Sequence, residues 1–139
     1  MAACPAVILA GDRGPEDALC RAAGVTCRAL VPVGGRPLIQ GALTALAEAP
    51  NVSSTLVTEP RTPALRQHYD GGPFALDWIP SAESPAASVL AALDARPPGE
   101  PPVLVTPADH VLLSPAIVED FLARARGLDA DLVVGVTRA

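Results

Sequence analysis

The chain has 139 residues, half of them apolar and only 3% aromatic, and it carries a net charge of −5 with arginine as its one basic residue besides histidine. This length builds a single domain, which we place over residues 1–139, and the acidic balance excludes a basic surface for nucleic acid. Apolar runs stay below the ~18 residues of a membrane span and lack a signal peptide's charged flank, so we expect a cytoplasmic protein without a membrane partner.

Apolar runs and amphipathic stretches alternate from the N-terminus onward. Ala6–Ala10 is almost continuously apolar, which predicts a strand buried on both faces. A polar segment follows, with a short helix over Glu16–Ala23 and an extended piece at Ala29–Val33. The extended piece ends in a Gly34-Gly35 turn, and Pro37 is expected to open a longer helix because proline suits the first helical position.

The middle of the chain continues the alternation. Ser54–Thr58 is predicted to be a strand, Pro63–Tyr69 a short helix, and Phe74–Ile79 a half-exposed edge strand. Ser84 is expected to cap a helix that begins at Pro85. Its apolar pattern predicts that one side of this helix is buried, namely the side of Ala86, Val89, Leu90 and Leu93.

The last third of the chain supplies three further elements. Val103–Thr106 is predicted to be a strand, Ser114 to cap a helix begun by Pro115, and Leu132–Val136 to be a final strand. Alternation of this kind predicts an α/β fold with three layers (α/β/α) around a mostly parallel, doubly wound sheet.

Two loops of this predicted sheet carry residues suited to a ligand. If the strands follow the common order 3-2-1-4-5, the first and fourth are neighbours, and ligands bind at the carboxyl ends of such strands. Gly11-Asp-Arg-Gly14 follows the first strand and Asp109 follows the fourth. Backbone N–H groups beside a carboxylate would suit a nucleotide that carries Mg²⁺.

Each of these residues also has a plainer interpretation. Asp109 suits a turn after a strand, Gly11-Asp-Arg-Gly14 suits a tight turn, and Arg13 and Arg28 could be solvated cations. The chain contains neither GxxxxGK[ST] nor a GxGxxG after its first strand, which argues against a Walker-type loop and the usual dinucleotide fold. The three cysteines have no metal-ligand spacing and are expected to be reduced thiols.

An ordered series of segments resembles the MobA-like NTP transferases, nucleotidyltransferases with a glycosyltransferase-A-type, Rossmann-like fold of the nucleotide-diphospho-sugar transferase type. AVILAGDRGPEDALCRAAGVTCRALVPVGGRPLIQGALTAL is similar to their opening, where a strand ending in LAGG precedes an arginine, a lysine and a pv.GkPli segment. ESPAASVLAAL resembles the helix start near the base and ribose, and VLVTPADHVLLSPAIVEDFL resembles the strand with the metal aspartate. The resemblance spans nearly the whole chain.

The resemblance implies roles for ten residues of this chain. Arg13, Arg28 and Asp109 would be catalytic, with Asp109 as the Mg²⁺ ligand and Arg28 where the family usually has lysine. The residues implied to bind the nucleotide are Leu9, Ala10, Gly11 and Gly14 in the first loop and Ala86, Ala87 and Ser88 at the helix start.

The implied reaction transfers a nucleoside monophosphate from an NTP to a small phosphorylated or alcohol acceptor and releases pyrophosphate. This chain differs from the resembled pattern at Asp12, where the second glycine of LAGG would stand. Because the family's members are usually longer, we expect either the N-terminal part of the full fold or a reduced domain. The alternative function is a non-catalytic nucleotide-binding or protein-interaction module. A homo-oligomer that pairs through an unpaired sheet edge is also compatible with the sequence.

Overall fold

The computed structural model describes residues 2–14 and 16–136, so both extremes of the predicted domain lie outside the described part. In chain order its first elements are β1 (Cys4–Leu9), α1 (Ala18–Ala23), β2 (Pro32–Val33), β3 (Arg36–Pro37), α2 (Gln40–Glu48) and β4 (Val52–Glu59). They are followed by α3 (Ala64–Tyr69), β5 (Leu76–Pro80), α4 (Pro85–Asp94), β6 (Leu104–Pro107) and α5 (Pro115–Arg126).

The centre of the fold is a four-stranded parallel sheet. Its strand order is β5-β4-β1-β6, which is the predicted order for the first four strands of the main sheet. The register pairs Leu9 with Thr58 of β4 on one side and with Pro107 of β6 on the other. The ends of the first and fourth predicted strands are therefore neighbours, as the common strand order 3-2-1-4-5 predicts.

Helices cover both faces of the sheet, which confirms the predicted three-layer α/β class. Ile8 belongs to the main core, together with Leu43 and Leu46 of α2 and Val118 and Leu122 of α5. Helix α4 packs against β1 and β4, and its Ala92 is fully buried outside that core cluster. Right-handed crossovers explain the two layers, because the chain moves outward from β1 to β5 and then returns across the sheet to β6.

The prediction of a final strand over Leu132–Val136 is wrong. These residues form no β pairing within the described part of the chain, and Leu132 and Val134 are 79% and 67% exposed. The segment passes Phe121 instead, since a Cβ added to Gly135 would lie 3.2 Å from that ring. An apolar run becomes a strand only where a neighbouring strand supplies ladder hydrogen bonds, and β6 remains the edge of the described sheet.

The helix expected from Pro37 begins three residues later, at Gln40. Pro37 instead pairs in the β2–β3 ribbon, whose turn consists of Gly34 and Gly35 at φ +58° and +79°. Two residues with positive φ are what a two-residue hairpin turn of type I′ requires, and glycine adopts them without steric cost. The predicted glycine turn is thus confirmed, and the predicted helix start is wrong by three residues.

The buried side of α4 also differs from the prediction. Ser88 and Ala92 are 3% and 0% exposed, whereas Leu90 and Leu93 are 60% and 41% exposed. The Ser88 hydroxyl accepts a hydrogen bond from the Ala82 N–H at 2.9 Å, which ties this side of the helix to the loop after β5. A helix made almost wholly of Ala, Val and Leu has no polar side to mark its orientation, so contacts with the sheet decide which side is buried.

Gly41 allows α2 to approach the segment that follows β6. A Cβ added at this position would lie 2.8 Å from the Val111 carbonyl oxygen. We expect Gly41→Ala to lower the free energy of unfolding by about 1–3 kcal/mol, because forced overpacking exceeds the gain in helix propensity. Urea denaturation measures this. Gly127→Ala is the matched control, since its added Cβ meets only the Arg124 carbonyl oxygen at 3.5 Å, and an equal loss in both variants would contradict the close approach.

Candidate functional site

A cleft of about 860 Å³ lies at the carboxyl ends of the parallel strands. The loops after β1, β4, β5 and β6 all contribute to it, as expected for a switch point in a doubly wound sheet. Eight of the ten residues implied by the resemblance line this cleft: Leu9, Ala10, Gly11, Arg13, Gly14, Arg28, Ser88 and Asp109.

The glycines in the loop after β1 answer two different steric requirements. A Cβ added to Gly11 would lie 2.9 Å from the Ser81 hydroxyl oxygen, so this position faces a close neighbour from the loop after β5. Gly14 has φ +88°, a conformation that other residues rarely adopt. The Ala10 N–H is already used, because it donates to the Thr58 carbonyl at 3.2 Å and to its hydroxyl at 3.3 Å.

The Asp12 carboxylate accepts hydrogen bonds from two backbone N–H groups. One carboxylate oxygen accepts from the Gly14 N–H at 3.0 Å, and the other accepts from the Arg28 N–H at 3.2 Å. The aspartate that replaces a glycine of the resembled pattern therefore cross-links two loops.

Arg28 is held by a second carboxylate. Its Nη2 lies 2.5 Å from Asp17 Oδ2, and Asp17 also caps α1 by accepting from the Leu19 and Cys20 N–H groups at 2.9 and 3.4 Å. The hydrogen bond from Arg28 lowers the pKa of Asp17, and the same contact raises the pKa of Arg28. The Arg28 side chain remains 41% exposed, so its other N–H donors can still reach a ligand in the cleft.

Asp109 stands at the β6 side of the cleft. The Ala108 N–H donates to the Leu9 carbonyl at 3.0 Å, which fixes this loop to the end of β1. The turn after it is closed by the Asp109 backbone carbonyl, which accepts from the Val111 N–H at 2.9 Å. Within the described residues the Asp109 carboxylate makes no hydrogen bond or ion pair, and its charge contributes to the raised pKa of Arg28. Its oxygens are free for a cation.

The helix start that resembles a base or ribose contact is only partly in the cleft. Ala86 and Ala87 are absent from its lining, and the Ala87 N–H is used by the Ser84 cap at 3.1 Å. Ser88 lines the cleft, but its hydroxyl already accepts from the Ala82 N–H. Its contact supports the loop after β5.

Sequence reasoning missed several lining residues in the loops after β4 and β5. Arg61 and Thr62 follow β4, and Ser81 and Glu83 follow β5. Among the described residues, the enclosed Thr62 hydroxyl has no hydrogen-bond partner. The rule that ligands bind at the carboxyl ends of strands would have found these positions if it had been applied to all four strands.

The formal charges of the side chains that line the cleft sum to zero. Its three arginines, Arg13, Arg28 and Arg61, stand against Asp12, Glu83 and Asp109. Residues 2–14 and 16–136 contain no group of three His, Cys, Asp or Glu side chains able to hold a metal on their own. A polyanion would therefore meet no surplus of positive charge here unless it brought a cation, and Asp109 would share that cation with ligand oxygens or water.

Fold and cleft together define a nucleotidyltransferase-like α/β domain. The MobA-like NTP transferase domain matches residues 6–139, and the chain belongs to that family. No curated protein matches the sequence. In the described part of the chain, every helix is too short or too polar to cross a bilayer.

Solved structures of low sequence identity share the fold. The 4-diphosphocytidyl-2C-methyl-D-erythritol synthase of Anaerococcus prevotii DSM 20548 has a TM-score of 0.70 at 13% identity, covering 90% of this chain and 51% of that protein. A CMP:2-keto-3-deoxy-manno-octonic acid synthetase complexed with CTP has a TM-score of 0.70 at 16% identity, covering 91% of this chain and 48% of that protein. Rv0371c of Mycobacterium tuberculosis H37Rv has a TM-score of 0.66 at 17% identity, covering 91% of this chain and 62% of that protein. The chain thus spans roughly half to three-fifths of these proteins' lengths.

Proposed function

We propose that this domain binds a nucleoside triphosphate with Mg²⁺ and transfers its nucleoside monophosphate to a small phosphorylated or alcohol acceptor. The observation that carries the proposal is the Asp109 carboxylate, to which no other described residue bonds. It lies in one cleft with Arg28, Arg13 and the glycine loop (residues 11–14). Family membership supports the reaction class, and two of the structural neighbours have cytidine nucleotides in their names.

The residues present fit a magnesium ion. Asp109 offers an unengaged carboxylate, which is a ligand type that Mg²⁺ prefers, and the balanced charges of the lining leave a triphosphate in need of a cation. When bound, such an ion would neutralise charge on the phosphate oxygens and polarise the phosphorus. Asp109 would hold it, and Asp12 is occupied with backbone donors.

The protein's own groups would then act by position and charge. In the transfer, an acceptor oxygen forms a bond to the α-phosphorus while the bond to the bridging oxygen breaks and pyrophosphate leaves. Negative charge builds on the phosphate oxygens as this happens, and fixed donors stabilise it without reorganisation. Arg28, anchored by Asp17, and the exposed Arg13 would supply these donors.

Thermal-shift titration with CTP, GTP, ATP and UTP, each with and without Mg²⁺, tests the binding step. A ligand that binds the folded state raises the unfolding temperature, so we expect at least one NTP to do so only with Mg²⁺. The corresponding monophosphate should have a smaller effect. Equal shifts with and without Mg²⁺ would contradict the proposed metal role, and no shift with any NTP would contradict nucleotide binding.

Pyrophosphate release tests the chemical step. The NTP with the largest thermal shift is incubated with phosphorylated sugars or alcohols, and released pyrophosphate is measured. Release with one acceptor class would support transfer. Mg²⁺-dependent nucleotide binding without release from any acceptor would favour the non-catalytic nucleotide-binding module instead.

A further inference from the structure

Asp12 caps a turn that is distant in sequence. Arg28 is the first residue of a 3-10 turn over Arg28–Leu30, and the residue before it, Cys27, provides no side-chain cap. The N–H groups at the start of such a turn lack partners within it. Asp12, sixteen positions earlier, supplies the missing acceptor at 3.2 Å.

The same carboxylate shapes the loop in which it lies. Gly11 and Gly14 give this four-residue loop much backbone freedom, and ordering glycine costs more conformational entropy than ordering other residues. The hydrogen bond from the Gly14 N–H to Asp12, at 3.0 Å, closes the loop on itself. One side chain therefore fixes both the glycine loop and the backbone of Arg28.

Arg28 is thus anchored at both of its ends by carboxylates from the connection between β1 and α2. Asp12 holds its backbone, and Asp17, whose side chain is 6% exposed, holds its guanidinium at 2.5 Å. Arg28 lines the cleft and its side chain remains 41% exposed, so the guanidinium N–H groups that Asp17 does not use are available to a ligand there.

We propose that Asp12 is a positioning residue for polyphosphate binding: its carboxylate bridge holds the glycine loop and Arg28 in the mutual arrangement that one phosphate chain requires. This inference rests on the proposed function. Because both oxygens of Asp12 accept from backbone donors, the group acts as part of the loop's framework. If Asp12 instead competed with phosphate for the same amides, removing its carboxylate would tighten phosphate binding.

Calorimetric titration of the whole chain with inorganic tripolyphosphate and Mg²⁺ measures this role without involving a base. We expect Asp12→Ala to raise the dissociation constant about tenfold, because ligand binding must then also order the loop of residues 11–14 and the Arg28 backbone. Asp12→Asn keeps the side-chain shape and one acceptor oxygen, and should restore part of the affinity. Asp94→Ala, which removes the same charge from an exposed position outside the cleft, should leave the constant unchanged.

Amide hydrogen exchange in the free protein gives a readout that does not depend on any ligand. Asp12→Ala should speed exchange at the Arg28 and Gly14 amides, and Asp94→Ala should not. Unchanged exchange would overturn the bridge itself. Unchanged or tighter tripolyphosphate binding in both Asp12 variants would overturn the positioning role while leaving the proposed function intact. If the unmodified protein bound neither Mg²⁺-tripolyphosphate nor any Mg²⁺-NTP, the proposed function would fail, and the positioning role with it.

Discussion

Asp109→Asn is expected to weaken Mg²⁺-NTP binding by about ten- to a hundredfold, and to remove the dependence of that affinity on Mg²⁺. Asparagine keeps the shape of the side chain but loses the charge that attracts a divalent cation. Because Asp109 is exposed and its carboxylate bonds to no other described residue, the fold should be retained. Titration of the variant with the best NTP, at several Mg²⁺ concentrations, measures the effect.

Two comparisons make the Asp109 result interpretable. Asp94→Asn removes the same charge from the exposed end of α4, outside the cleft, and should bind like the unmodified protein. Urea denaturation of Asp109→Asn should give an unfolding free energy close to that of the unmodified chain, since surface substitutions usually change it by less than about 0.5 kcal/mol. If the variant still showed the full Mg²⁺ dependence, Asp109 would not be the metal ligand.

Arg28→Ala is expected to weaken triphosphate binding by about ten- to a hundredfold, and monophosphate binding much less. A hydrogen bond to a charged group contributes roughly 1.5–3 kcal/mol. Within the described part of the chain, Arg28 is the arginine of the cleft whose guanidinium is held by a carboxylate. The variant also leaves the nearly enclosed Asp17 without its partner, so its stability should fall as well. Comparing an NTP with its monophosphate separates phosphate contact from this general loss.

Two control variants accompany Arg28→Ala. One keeps the charge with a different donor geometry, and the other removes an arginine outside the cleft. Arg28→Lys keeps the charge but offers a point donor in place of the planar fork, so it should recover part of the triphosphate affinity. Arg21→Ala removes an exposed arginine that pairs with Glu16 at 2.6 Å outside the cleft, and should change little. An equal loss for the triphosphate and the monophosphate would contradict a phosphate contact by Arg28.

Local patterns were enough to predict the sheet and the position of the cleft. The apolar run Ala6–Ala10 marks the central strand, because burial on both faces demands continuous hydrophobicity. Ser54–Thr58 and Val103–Thr106 mark the two strands beside it. Right-handed crossovers leave several strand orders open, but with the common order 3-2-1-4-5 the carboxyl ends of the first and fourth strands meet at one edge. That order predicts that Gly11 and Asp109 face one crevice, and both residues line the observed cleft. The roles of these residues remain predictions.

Tertiary contacts decided what the patterns left open. Leu132–Val136 has the apolarity of a strand but no neighbouring strand in the described residues, and α4 buries Ser88 where its composition favoured leucines. Asp12 departs from the glycine of the resembled pattern, and its oxygens accept from the N–H groups of Gly14 and Arg28. In each case the outcome depends on contacts that form only in the folded chain. A sequence specifies what each segment can form, and the folded neighbours determine which donors, acceptors and surfaces it finds.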